Sequence, residues 1–332
     1  MAATLGFALI GCGGMGRSEA KLLSQIPNAR LVMVCDVQAA AADAFGREMG
    51  VPAVTDAAAA LANPSVGAVM VTTPNTMHTQ LVLDAAAAGK HIFCEKPMAL
   101  TVAECDRMLA AAERAGVRLV VGQVLRLLPL FDRIVELFDS GVLGRPVAAQ
   151  ITRVSSFPAV VPEYRRTKSG SGGLLYDVTV HEIDLLHRLC GLTRSVSAHM
   201  SRMVVAGIDY EDTLQLHLGF QSGAMAGIFE SIAASVPVFT GMLIAERGTL
   251  QFDHGSGHLR YRTAGSSETL EETVSAKDRE NGYLKELRSF TDWVLDDRPP
   301  LLTAAEGRAA IVVAEAAYQS AASGQAVLVQ HR

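Results

Sequence analysis

The chain has 332 residues, 49% of them hydrophobic and 19% charged, with a formal net charge of −5. That length suits two domains, each with its own core, and the balance is globular, neither disordered nor membrane-embedded. Without long runs of one charge sign, it lacks the basic footprint of a nucleic-acid binder and the basic amphipathic helix of a membrane-surface protein.

No stretch reaches the roughly 18 apolar residues of a membrane span. The first arginine is Arg17 and the leading apolar run, Leu5 to Ile10, is strand-sized, so no signal peptide is expected. From there, short apolar runs alternate with Ala- and Leu-rich helical stretches. The runs are Phe7–Ile10, Leu31–Cys35, Ala68–Thr72, His91–Cys94 and Arg118–Val121; the helices are Gly14–Gln25, Val37–Met49, Met77–Ala88 and Thr101–Ala115. Strands apolar throughout are buried on both faces, which predicts a doubly wound parallel sheet between helices.

Beyond Gln123 the pattern changes. A helix is predicted over Pro129–Ser140, a turn over Gly141–Pro146, a strand over Val147–Phe157, a polar loop over Pro158–Gly173 and a helix over Leu175–Cys190. Alternating segments follow. Leu214, Leu216, Leu218 and Phe220 share one strand face, and Gln221-Ser222-Gly223 reads as a hairpin turn into Ala224–Ile232. Helices near Gly282–Leu295 and Ala304–Ala322 close the chain. The expected architecture is α/β: an N-terminal Rossmann domain over 1–123, then an α/β domain over 124–332 with a largely antiparallel open sheet. The C-terminal helix is free to pack back on the first domain.

Gly11-Cys12-Gly13-Gly14-Met15-Gly16 is a GxGxxG turn between a strand and a helix. Gly11 permits the tight turn, Gly13 lets a pyrophosphate approach, and Gly16 allows close helix–strand packing. About 20 residues on, Asp36 ends the second strand at the spacing of a ribose-binding acid. A carboxylate there accepts from a 2′-hydroxyl and repels a 2′-phosphate, and Val37 and Gln38 supply no base, so NAD is expected over NADP.

Two further stretches carry chemistry. Glu95-Lys96-Pro97 follows a strand, where parallel sheets bind ligands, so Lys96 can reach a substrate oxygen. Asp177, His181 and Asp184 lie at i, i+4 and i+7, placing a carboxylate, an imidazole and a second carboxylate on one helix face. No further ligand sits at metal-site spacing, so no metal is expected. The five cysteines, Cys12, Cys35, Cys94, Cys105 and Cys190, form no CxxC pair and read as reduced thiols of a cytoplasmic protein.

Across nearly its whole length the chain resembles the Gfo/Idh/MocA family, of the glucose–fructose oxidoreductase and inositol dehydrogenase type. The resemblance rests on Gly11–Gly16, Val71-Thr72-Thr73-Pro74-Asn75 with His78, Glu95-Lys96-Pro97, Gly122 with Arg126 and Pro129, Gly141–Pro146 and Gly172–Asp184. In the tail it rests on Tyr283, Glu286, Phe290, Pro299 and Thr303. It implies that Thr72, Thr73, Pro74, Asn75, His78, Glu95, Lys96 and Gln123 lie along the cofactor, that the Lys96–Pro97 peptide is cis, and that Lys96, Asp177 and His181 are catalytic. Arg126, Tyr164 and Arg165 join them as expected substrate contacts. Gln123 stands where the family often has Asn, and Ser235–Gly241 lacks a Tyr-Gly-Tyr element of inositol dehydrogenases.

The expected activity is NAD-dependent oxidation of a secondary hydroxyl on a sugar, inositol or related polyol. His181 is the general base, since an imidazole titrates near working pH, and Lys96 stabilises the developing oxyanion. The alternatives are a glycosidase that oxidises its substrate transiently and a non-catalytic NAD-binding regulator. A homodimer or homotetramer is expected. Alternation along Ala224–Ile232 puts Ala224, Ala226, Ile228 and Ile232 on one face but Met225 and Phe229 on the other, where a sheet with helices on one side needs no large apolar residue.

Overall fold

The computed structural model describes residues 4–331. It comprises two compact units, one built from the chain up to Val124 with Gly282–Arg308, the other from Leu125–Asn281 with the chain from Ala309 onward. Among the described residues no helix is long and apolar enough to cross a membrane.

The first unit holds a six-stranded sheet of β1 (Leu5–Ile10), β2 (Ala29–Cys35), β3 (Ala53–Val54), β4 (Ala68–Val71), β5 (His91–Glu95) and β6 (Leu119–Gly122). The order is β3-β2-β1-β4-β5-β6, every neighbouring pair parallel. This is the doubly wound nucleotide-binding order, whose ligand crevice lies beyond the carboxyl ends of the strands. As the apolar runs imply, β1 and β4 are buried at every residue. The connecting helices are α1 (Gly14–Leu22), α2 (Ala39–Met49), α3 (Ala57–Ala62), α4 (Asn75–Ala87) and α5 (Val102–Ala115). The chain reading does not single out β3 or α3, the one two residues long and the other six; neither is long enough to show a period.

The second unit carries α6 (Pro129–Asp139), β7 (Pro146–Ser156), α7 (Lys168–Ser171) and α8 (Val180–Cys190), then β8 (Thr193–Ser201), β9 (Thr213–Phe220), β10 (Met225–Ser231), β11 (Ala233–Ala245), β12 (Gly248–Asp253), β13 (His258–Thr263) and β14 (Leu270–Thr273). The chain ends with α9 (Gly282–Asp296), α10 (Ala304–Ser323) and β15 (Val327–Leu328). Its nine-stranded sheet runs β14-β13-β12-β11-β7-β10-β9-β8-β15 and is antiparallel except between β7 and β10. Helix α9 belongs to the first unit, where Phe290 packs edge-on against Phe7 of β1 and Phe93 of β5 at 6.0 and 6.1 Å between ring centroids. The loop expected over Pro158–Gly173 contains a 3₁₀ turn, Glu163–Arg166, and α7.

Candidate active site

In the first unit the residues expected along the cofactor fall at the carboxyl ends of strands. Gly11–Gly16 link β1 to α1, Asp36 follows β2, Thr72–Asn75 lead from β4 into α4, Glu95 ends β5, and Gln123 follows β6. Gly11 has φ +105°, and a Cβ there would meet Thr72 backbone at 2.8 Å; at Gly16 it would lie 2.3 Å from Gly11 O. At Gly13 and Gly14, by contrast, a Cβ would meet nothing within 4 Å. The N-terminus of α1 has no side-chain cap at Gly13, so its first N–H groups are left for another acceptor.

These features fit a dinucleotide: an open turn for the pyrophosphate at a helix N-terminus, and an acid at the ribose distance. Asp36 Oδ2 accepts from Cys12 N–H at 2.8 Å and Oδ1 from Gln38 N–H at 2.9 Å, so the carboxylate is fixed beside the glycine turn. The nearest base on α1, Arg17, is ion-paired with Glu48 and lies over the Phe45 ring at 4.6 Å. At the other end of the crevice, Thr73 Oγ1 and both amide atoms of Gln123 are buried and lack a hydrogen-bond partner within the chain. Orphaned polar atoms of this kind are expected where a ligand completes the bonding.

His78 is fully buried and bridges two backbone carbonyls, Thr73 O and Pro97 O, each at 2.9 Å from a ring nitrogen. Burial pushes its pKa down. A neutral ring donates to only one of the two carbonyls. His78 thus ties the Thr73 loop to the turn after Lys96. The Lys96–Pro97 peptide is cis, as expected. Glu95 Oε2 accepts from Lys96 N–H at 3.1 Å, and Gly122 makes room for that carboxylate, since a Cβ there would lie 2.8 Å from Glu95 Oε1.

Behind Glu95 the structure gathers a cluster the chain pattern did not expose. Glu19 of α1, Glu95 and Glu286 of α9 are all buried, with carboxylate oxygens within 4.8 Å of one another. Burial, and then the charge of Glu95, push the pKa values of Glu19 and Glu286 well above the usual carboxylate range.

In the second unit, Asp177 lies in a π-turn, Leu175–Thr179, not in the regular helix expected there. Val180 N–H reaches back five residues to Leu175 O. The turn starts from Gly172 and Gly173, both at positive φ, and a Cβ on Gly172 would meet the Tyr176 ring. Glu211 accepts from Leu175 N–H and from the Tyr318 hydroxyl, pinning the start of the turn. His181 follows in the first turn of α8, half-buried like Asp177. Asp184 does not share this setting: it is 1% exposed and faces Arg126, itself 3% exposed, at 3.5 Å. Arg126, expected to contact substrate, lies in that buried pair.

Arg165, from the Glu163–Arg166 turn, donates to Asp177 Oδ2. Its backbone carbonyl accepts from the Tyr210 hydroxyl at 2.7 Å, which fixes the turn against Tyr210. Burial pushes the Tyr164 phenol up, and burial with the Asp177 charge pushes Tyr210 up to about 12. Both phenols therefore stay protonated at neutral pH and act as donors. Tyr210 was missed by sequence reading because it sits in a loop with no pattern around it.

Residues 5–123 match the family described as "Oxidoreductase family, NAD-binding Rossmann fold", and residues 131–251 match the "GFO/IDH/MocA C-terminal domain". The myo-inositol 2-dehydrogenase of Thermotoga maritima is 31% identical over 339 residues, spanning 94% of this chain and 95% of the relative. The structure of GenD2 from gentamicin A biosynthesis in complex with NAD superposes with a TM-score of 0.87 at 29% identity, covering 99% of this chain and 97% of that one. Levoglucosan dehydrogenase in complex with NADH and levoglucosan shares the fold, with a TM-score of 0.90 at 22% identity over 98% of this chain and 99% of that one. The chain belongs to the Gfo/Idh/MocA family of oxidoreductases with an NAD-binding Rossmann domain.

Proposed function

We propose that this protein is an NAD-dependent dehydrogenase that oxidises a secondary hydroxyl of a sugar, inositol or related polyol. The observation that carries the substrate class is the end-to-end similarity to a myo-inositol 2-dehydrogenase. The unit of the chain up to Val124 with Gly282–Arg308 serves the cofactor, and the unit of Leu125–Asn281 with the chain from Ala309 onward serves the substrate and self-association. NAD, when bound, supplies the hydride acceptor, and the protein contributes positioning and electrostatics.

His181 takes the hydroxyl proton as general base, a role to which imidazoles in general are suited. Asp177 is ion-paired with Arg165, and Tyr164 and Tyr210 are held in their protonated forms, so none of these three competes for the proton. Asp177 accepts from substrate hydroxyls, Arg165 and Tyr164 donate to them, and Lys96 stabilises the oxygen as its negative charge develops. Thr73, Gln123 and Asp36 hold the cofactor through the orphaned polar atoms and the ribose-facing carboxylate. The protein acts in the cytoplasm as a homodimer or homotetramer, consistent with five free cysteines and the apolar outer face of the second sheet.

The test is a panel of sugars, inositols and sugar acids with NAD, read by NADH absorbance. Accumulating NADH with at least one neutral polyol is the expected result. Absence of NADH across the panel overturns the dehydrogenase reading.

A further inference from the structure

Three residues stand in register across the second sheet: Glu230 of β10 pairs with Arg153 of β7, and Arg153 with Phe239 of β11. Alternation puts them on the same face as Ile228, Ile151 and Leu243, which are at most 1% exposed. Charges on such a face are costly unless matched. Here they are matched through the helical segment that carries the candidate base. Arg153 Nη1 donates to Glu182 Oε1 at 2.7 Å, and its guanidinium lies over the Phe239 ring at 4.9 Å. The Thr179 hydroxyl donates to Glu230 Oε2. Glu182 and Glu230 are 0% and 1% exposed, and Glu182 Oε2 and Glu230 Oε1 have no hydrogen-bond partner. Thr179 and Glu182 flank His181, two residues before it and one after.

We propose that Arg153 is a positioning residue for the reaction: by holding Glu182, while Glu230 holds Thr179, it fixes the backbone of Thr179–Glu182 and with it the direction of the His181 imidazole. This rests on the reading of His181 as general base. Arg153 holds Glu182 on one side of the histidine and Glu230 holds Thr179 on the other, and both acids are buried. Without Arg153, the buried Glu182 loses its ion-pair and hydrogen-bond partner and must rearrange or turn toward water. Either change pulls on the residue next to His181.

Arg153→Met keeps an apolar stem beside Phe239 and removes the guanidinium, its charge and its hydrogen bond to Glu182 together. It is expected to lower kcat by on the order of 10- to 100-fold, the cost of a base misplaced by about 1 Å, with substrate KM and NAD affinity little changed. Arg153→Met combined with Glu182→Gln is expected to recover most of that loss, because a neutral amide needs no cation. A packing or substrate-binding role for Arg153 would give no such rescue. Near-normal kcat in Arg153→Met, a rise in substrate KM alone, or a double variant no better than the single one would each overturn the proposal. A readout independent of turnover separates this from the dehydrogenase reading: the His181 ring resonances in histidine-labelled protein, assigned with His181→Ala. They are expected to shift in Arg153→Met and return in the double variant. Resonances unmoved by Arg153→Met overturn the proposal whatever the enzyme's substrate proves to be.

Discussion

At the scale of single residues, the ion pair between Arg165 and Asp177 divides the work of the candidate chemistry. A carboxylate already bonded to a guanidinium is a poor proton acceptor but remains a hydrogen-bond acceptor for a hydroxyl, which supports the proposal of His181 as the proton acceptor. Lys96→Ala and His181→Ala are each expected to fold, bind NAD and lose at least ~100-fold in turnover, the usual scale for a positioned acid–base or electrostatic group. Near-normal rates in either variant would remove that residue from the mechanism. Asp177→Asn, which keeps an acceptor oxygen but releases Arg165, is expected to fall between those and wild type. At the cofactor end, Asp36, the proposed ribose acid, holds Cys12 N–H. Asp36→Ala should weaken NAD binding and narrow its margin over NADP, while Asp36→Asn, still an acceptor for Cys12, should keep more of the NAD affinity. Titrations in which wild-type protein binds NADP more tightly than NAD would refute the cofactor preference.

At the scale of elements, α1, β5 and α9 meet at the buried carboxylates Glu19, Glu95 and Glu286, and this contact makes stability depend on pH. Folded Glu286 keeps its proton well above the usual range, whereas the unfolded chain releases it above about pH 4.3. The folded state then binds more protons than the unfolded one, so stability is lost as pH rises from that value toward the raised folded pKa. Glu286→Gln imitates the protonated acid, and its Tm should fall less than wild type's between about pH 5 and about pH 8. Parallel falls in the two proteins would show that the cluster carries no such linkage. Glu19 and Glu286 show how far a chain pattern reaches. The parallel strands were legible because they are apolar at every position, and the glycine turn because its spacing is local. A cluster assembled from three elements far apart in sequence leaves no local trace. The π-turn at Asp177 is hidden for a related reason: its ties run to Glu230 and Glu211, over thirty residues away in the chain. Glu230 did leave a signal, being the one carboxylate in the buried alternation of Ala224, Ala226, Ile228 and Ile232, and Arg153 left the same signal after Ile151.

At the scale of the whole molecule, the outer face of the nine-stranded sheet is the surface suited to self-association. The alternation expected along β10 holds only in part: Ala226 and Ile228 are buried and Met225 is 63% exposed, but Phe229 is partly covered and Gly227 and Ser231 are buried. Register carries this outer face across three strands, with Met225, Gln150, Met242 and Ile244 its exposed members. Met225 lies opposite Ala148 of β7, which lies opposite Ile244 of β11; one row on, Gly227, Gln150 and Met242 line up; then Phe229, Thr152 and Thr240. Gln150 lies over Gly227, where a Cβ would sit 2.2 Å from its Oε1, so the middle row stays flat. Ile244 and Met242 are exposed while Leu243 between them is buried. A row of methionines, isoleucine and alanine over paired strands, with only small or uncharged polar residues between, gains free energy when covered. A two-fold contact lets one such patch bury itself against its own copy without leaving an open end. Light scattering at micromolar concentration is therefore expected to give a multiple of the 35.2 kDa chain mass. Met225→Asp with Ile244→Asp, which places two charges on that face and none in the core, should return the mass toward one chain while leaving the NAD-binding unit folded. A wild-type mass of one chain, independent of concentration, would remove the assembly; an unchanged oligomer in the double variant would move its interface elsewhere.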